Sequence, residues 1–197
     1  MDSRFIMAFT SPGETRLLGY RMRPFSMKHR LALEAIKSPF VTPDKPVGIV
    51  DLFVAVKICA EQSIRSLSFL DMVRIVRIRM KPSLMEEYIK AFHSYTNMEQ
   101  WPKFWTKSKQ QSSSKGLPWI LSIVSNLMAN GFDEEAAWSL PESQAIWYHT
   151  AFSVRNGNDI TLLSDEDEDI MKNFKQFSDE AKAKAKPRVR KPNKQTP

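Results

Sequence analysis

Residues 69–80, FLDMVRIVRIRM, can be taken for a strand or for a helix, and the class of the protein turns on which. Alternation of Val, Ile and Arg over the second half fits a half-buried strand. Ile75 and Val76 break that period of two, however, and the flanking sequence offers no strand partner. Phe69, Val73, Val76 and Met80 instead fall on one helical stripe, and Arg74, Arg77 and Lys81 on another. Ser66 or Ser68 can cap the start and Pro82 stops the run. The stretch is therefore a helix, and the fold class that follows is mainly α, a compact bundle of about seven helices.

The neighbouring sequence agrees. Pro46 or Val47 opens PVGIVDLFVAVKICA (46–60), so nearly apolar throughout that it is expected to be the central buried helix. Downstream, Ser83 and Glu86 have capping-box spacing for a helix to about Asn97. Upstream, Ser26 caps a helix carrying Leu31, Ala35 and Ile36 that ends at Ser38-Pro39. Before it, RFIMAFT and TRLLGYRMRPF flank SPGE, a Pro-Gly turn signal that predicts an N-terminal arm or small hairpin. After residue 97 comes WPKFWTKSKQQSSSKG, with a polar joint at 106–117 that separates a second helical set. That set holds a helix from Leu117-Pro118 to Gly131, a short one capped by Asp133, and one from Pro141 to Gly157. A last helix starts at Ser164 with the carboxylate run DEDED (165–169) at the positive end of its dipole.

With 197 residues and 22.7 kDa, the chain fits a helical domain at 1–180 and a disordered basic tail at 181–197. The formal charge of +7 and the pI of about 9.5 describe that tail. Lys182, Lys184, Lys186, Arg188, Arg190, Lys191 and Lys194 supply seven of the 29 basic side chains, leaving 22 Lys and Arg against 22 Asp and Glu in the rest. No apolar run reaches the ~18 residues a membrane span needs. The single cysteine, Cys59, lies in the most apolar segment, which excludes an internal disulfide framework and fits a reducing compartment.

Catalytic apparatus is not visible in the sequence. His29, His93 and His149 stand singly, away from Cys59, with no spacing that converges three or four metal ligands. The six glycines form neither GxxxxGK[ST] nor GxGxxG, and neither GxSxG nor HExxH occurs. The DEDED run lacks the glycine and twelfth-position glutamate of an EF-hand loop. The chain is therefore expected to use no cofactor and no metal and not to be an enzyme. Two basic features remain open to nucleic acid: the tail, and the lysines 103, 107, 109 and 115 interleaved with Trp101, Phe104 and Trp105. Arg74, Arg77 and Lys81 could line up on phosphates or form a solvated helix face.

The segment GFDEEAAWSLPESQAIWYHTAF (131–152) resembles the tail assembly chaperones of tailed bacteriophages: a glycine-ended helix, a short acidic helix with a central Trp, a small-x-Pro break and an aromatic helix. RPFSMKHRLALEAIKSPFV (23–41) is similar to openings of small phage proteins encoded near tail genes. The resemblance covers about 40 residues around 118–157 and some 20 near the start; the Ser/Lys joint and the basic tail depart from it. It implies a small, mostly helical, non-catalytic factor in the host cytoplasm that binds a tail protein, the tape measure protein or the tail tube, and leaves before the virion is complete. No catalytic residues are carried over. The partner-binding residues expected are Trp101, Phe104 and Trp105 beside the joint and Trp138, Trp147 and Tyr148 around Pro141. Ten methionines and five tryptophans would give adaptable apolar contact, with most of Met72, Met80, Met85, Trp119, Trp138 and Trp147 expected in the core. The alternative function is a nucleic-acid-binding or virion structural protein that uses the tail and the Lys/aromatic joint.

Overall fold

Short capping side chains set most of the helix boundaries. In the computed structural model, which describes residues 2–10, 15–42, 45–64, 68–96, 100–104 and 117–184, Ser26, Ser68, Asp133 and Ser164 all stand immediately before a helix. Asp71 and Ser68 satisfy each other's turn, the Ser68 N–H donating to Asp71 Oδ2 at 2.9 Å and the Asp71 N–H to Ser68 Oγ at 3.2 Å. The protein is mainly α, with nine helices and one two-stranded hairpin among the described residues. They are α1 (Ser3–Thr10), β1 (Arg16–Leu17), β2 (Tyr20–Arg21), α2 (Met27–Ala35), α3 (Ile49–Cys59), α4 (Phe69–Met80), α5 (Pro82–Tyr95), α6 (Trp119–Ala129), α7 (Glu134–Ser139), α8 (Glu142–Arg155) and α9 (Asp165–Lys184).

Several boundaries differ from the sequence reading for local reasons. RFIMAFT forms α1, and the hairpin turns instead at Leu18-Gly19, both at positive φ (50° and 76°), as a two-residue turn matched to strand twist requires. SPGE (11–14) lies outside the described residues, as do Ser66 and the joint at 105–116. α3 starts at Ile49 because Gly48 is extended and its N–H donates to Asp51 Oδ2 at 2.9 Å. α5 starts at Pro82, whose ring occupies the first helical position, so Ser83 is inside the helix and not its cap. Gly131 and Gly157, at φ 99° and 86°, close α6 and α8 as read.

The chain divides into two compact units, residues 1–162 and 163–197. The first contains two apolar clusters. One gathers Leu17, Phe25, Leu33, Leu52, Val56, Ile78 and Phe92 from the hairpin and α2 to α5. The other gathers Met27, Ile120, Val124, Leu127, Ala137 and Ala145 from α2 and α6 to α8. These correspond to the two helical sets, and α2 serves both, Leu33 facing one and Met27 the other. In the second unit, α9 begins with a reciprocal cap between Ser164 and Asp167, at 3.0 and 3.1 Å, and carries Ile170, Phe174 and Phe177 on one stripe. Helix α9 continues to Lys184; the basic residues Lys186, Arg188, Arg190, Lys191 and Lys194 lie outside the described residues.

α3 is the central helix, with Leu52, Ala55, Val56 and Cys59 fully buried, and it takes Lys57 in with them. An unpaired ammonium there costs several kcal/mol, as much as burying two or three leucines returns, so the packing needs a carboxylate at that point. Asp71 of α4 supplies it, with Lys57 Nζ 3.1 Å from its Oδ2. The Tyr20 hydroxyl donates to Asp71 Oδ1 at 2.6 Å, and Arg74 Nη1 lies 3.3 Å from the same oxygen. Burial alone would raise the Asp71 carboxyl, but the bonds from Tyr20, Ser68 and Lys57 outweigh it and hold the group well below the usual carboxylate range. The same contact, with burial, pushes the Tyr20 phenol up.

Asp71→Ala is expected to lower stability by about 3–5 kcal/mol in urea denaturation, because it strands Lys57, with part of the loss recovered in the Lys57→Met/Asp71→Ala double variant. Since the folded state favours the ionised carboxylate, its contribution is complete at neutral pH and is lost progressively below about pH 5. Stability of Asp71→Asn should therefore depend less on pH over the acid range than that of the parent; parallel acid profiles would contradict the role given to Asp71.

Candidate protein-docking face

Turning Asp71 inward fixes the rotation of α4 about its own axis. At 100° per residue, Ile78 and half-buried Ile75 share the inward side, and the residues opposite must face out. Those are Phe69, Met72, Val73, Val76 and Met80, at i, i+3, i+4, i+7 and i+11, all exposed and led by Phe69 at 82% and Met80 at 77%. Burial in α4 is thus inverted relative to its hydrophobicity: the only acid is inside and the apolar stripe is outside. Met72 and Met80, expected in the core, are surface residues. Arg77 and Arg79 are exposed on either side of the stripe. A continuous apolar strip of this kind is unusual on the surface of a soluble domain and marks a docking site more often than not.

The basic stripe Arg74, Arg77, Lys81 does not stand free as a phosphate ladder. Arg74 is drawn back onto Asp71 and over the Tyr20 ring, 5.6 Å from its centroid, and a Cβ at Gly19 would collide with its guanidinium. Glycine at position 19 therefore meets two needs, the left-handed turn and the passage of Arg74.

The aromatic residues expected to bind a partner are mostly used by the fold. Trp147 is buried, its indole N–H donating to the Gln100 carbonyl at 3.0 Å and its ring meeting Phe5 edge-on at 5.4 Å. Tyr148 packs among Phe9, Phe132 and Phe152. Trp101, half-buried, lies beside the Arg30 guanidinium at 5.4 Å, with Phe25 at 5.4 Å and Trp119 at 5.5 Å around the same group. Trp138 is half-buried against the second cluster and lines a cavity of about 530 Å³. Phe104 is partly exposed and pairs in a short bridge with Leu162. Trp105 lies outside the described residues. The structure therefore does not gather the five described residues into one exposed face, and Trp147 in particular is buried.

Arg30 is the centre of a second buried charge pair. Its guanidinium holds Glu142 through two bonds, Nε to Oε1 and Nη2 to Oε2, the latter at 2.9 Å. Burial pushes the Glu142 carboxyl up and the guanidinium pulls it back. Glu142 N–H also donates to the Phe25 carbonyl at 2.7 Å, next to a bridge between Ser26 and Pro141. Segments 23–41 and 131–152 thus meet at Ser26 and Pro141.

Cys59, His29 and His149 are built into packing. Cys59 is fully buried and its thiol is pushed up to about 12 by burial, the reverse of what a nucleophile needs. His29 Nδ1 accepts from the Ser26 N–H at 3.2 Å, and burial pushes its imidazole down. Nδ1 of His149 meets the Asn126 amide at 2.8 Å, and His93 lies against Phe40. The cavity beside His29 and Trp138 is rimmed by both signs, Arg23 standing 3.5 Å from Glu61. Among the described residues no group of three or more His, Cys, Asp or Glu could hold a metal ion, and no helix is long and apolar enough to cross a membrane.

The chain matches no protein-family model, no curated protein and no solved structure.

The outward stripe was missed in the sequence because periodicity alone assigns an apolar face to the core. The signal that could have found it is Lys57: a lysine in the central helix calls for a buried acid, and Asp71 is the one acid in α4. If the stripe is surface, Phe69→Ser/Val76→Ser is expected to change unfolding free energy by no more than about 0.5 kcal/mol per site, whereas Phe92→Ala in the buried cluster should cost about 3–5 kcal/mol. Denaturant melts of the two variants make the comparison, and a large loss in the first would place the stripe in the core.

Proposed function

We propose that the protein is a non-catalytic assembly factor that binds a phage tail protein, the tape measure protein or the tail tube, in the host cytoplasm. The observation that carries this reading is the exposed apolar stripe of α4. A domain of this size with two well-packed clusters can bury five such side chains only against something else, and a factor that shields an aggregation-prone client needs this kind of strip. Met72 and Met80 suit it further, since unbranched thioethers repack against differing surfaces. The resemblance of 131–152 to tail assembly chaperones, with the likeness of 23–41 to openings of small phage proteins encoded near tail genes, suggests a tail protein as the class of client. Compared with the aromatic clusters expected beforehand, the binding role moves to α4, because Trp147 and Tyr148 are occupied in packing.

Co-expression of the full chain with tape measure and tail tube proteins, followed by purification in about 0.5 M salt to screen tail-driven charge association, is the direct test. Retention of a tail protein by the parent and its loss in Phe69→Ser/Val76→Ser is the expected result. Retention of nucleic acid alone, only at low salt, would replace this reading with a nucleic-acid one.

A further inference from the structure

We propose that the α4 face takes one amphipathic helix of about three turns whose apolar seam is flanked by Asp or Glu side chains. The inference rests on the docking role given to α4 above and specifies the chemistry of its occupant. Phe69, Val73, Val76 and Met80 alternate at spacings of four and three, with Met72 beside them, the pattern of a seam that receives the ridge of a second helix. Twelve residues of α4 extend about 18 Å at 1.5 Å per residue, which matches roughly three turns of a partner.

Charge selects among occupants. Arg77 borders the seam on one side and Arg79 on the other, Lys81 follows at the end of α4, and the helix exposes no carboxylate because Asp71 is fully buried. An arginine therefore borders the seam on each side, with exposed Leu70 beside Arg77, at positions that set partner choice in paired helices. A second copy of α4 would set arginine against arginine when parallel and, exposing no carboxylate of its own, would offer the arginines no partner when antiparallel, so it is disfavoured. A nucleic acid would satisfy the arginines and leave the apolar seam wet. An acid-flanked helix satisfies the seam and both edges together.

The test uses the full chain and two fluorescein-labelled helical peptides of about 14 residues, lactam-constrained because short helices are marginal in water. Both carry leucines at i, i+3, i+4, i+7 and i+11; one has Glu at the flanking positions and the other Lys. Fluorescence anisotropy at about 50 mM salt should show the Glu peptide binding at least about tenfold tighter than the Lys peptide. Arg77→Glu/Arg79→Glu should reverse the order, Phe69→Ser/Val76→Ser should abolish both, and urea melts should show each variant folded. Equal binding of the two peptides, or no binding of either up to about 100 μM, overturns the proposal. So does concentration-dependent dimerisation of the free chain that Phe69→Ser/Val76→Ser removes, or capture by vesicles of 7:3 phosphatidylcholine and phosphatidylserine that the same variant abolishes. If a tail protein is retained equally by the parent and by Arg77→Glu/Arg79→Glu, the assembly role stands and the acidic-helix inference falls. If the peptides discriminate as expected while no tail protein is retained, the reverse holds.

Discussion

A buried carboxylate organises the first half of this protein. Asp71 takes a hydrogen bond from the Tyr20 hydroxyl and one from the Ser68 backbone, and faces the cations of Lys57 and Arg74, so that the hairpin, α3 and the start of α4 meet at one group. The cost of desolvating these charges is large, and it is offset only because nearly every lone pair and proton is directed at a partner. That requirement is geometric. It leaves α4 one rotation about its axis and one position against α3, where general apolar contact would permit several.

The second half is joined to the first in a comparable way. α2 gives Leu33 to one apolar cluster and Met27 to the other, and Arg30 on the same helix binds Glu142 at the start of α8 while three aromatic rings surround its guanidinium. Both inter-helix tethers are thus charged groups in aromatic surroundings, Tyr20 at one and Phe25, Trp101 and Trp119 at the other. Rings of this kind favour a cation without competing for its hydrogen bonds, which lets the ion pair be buried without leaving its donors unused. Trp101 and Trp119, on either side of the joint, are consequently structural.

The surface follows from the interior. Because Asp71 must point in, Phe69, Val73, Val76 and Met80 point out, and a helix whose hydrophobic side would ordinarily be core becomes an open seam bordered by Arg77 and Arg79. Folding and the proposed docking role are coupled through this one residue: the interaction that stabilises α4 in the domain also turns its apolar side outward. In that proposed role the exposed thioethers would supply adaptability along the seam and the bordering arginines selectivity along the edges.

Helix content and most boundaries were legible in the sequence, because capping serines, the prolines at 82 and 141 and the glycines at 131 and 157 act on their own few neighbours. The break in alternation at Ile75-Val76 settled α4 as a helix for the same local reason, and the apolar run at 49–59 marked α3 as central. The helical nature of Ser3–Thr10 and the turn at Leu18-Gly19 were not legible: a two-residue turn at positive φ carries less sequence signal than SPGE, and α1 is held by contacts such as Phe5 on Trp147, 142 positions away in the chain. Sequence by itself determined what most segments from Ser26 onward are, since helix capping and periodicity are interactions between residues a turn apart. Only tertiary structure decided which way each segment faces, because the pairing of Lys57 with Asp71 and of Arg30 with Glu142 is long-range, and the free energy of a buried charge exceeds the preference of an apolar stripe for the core.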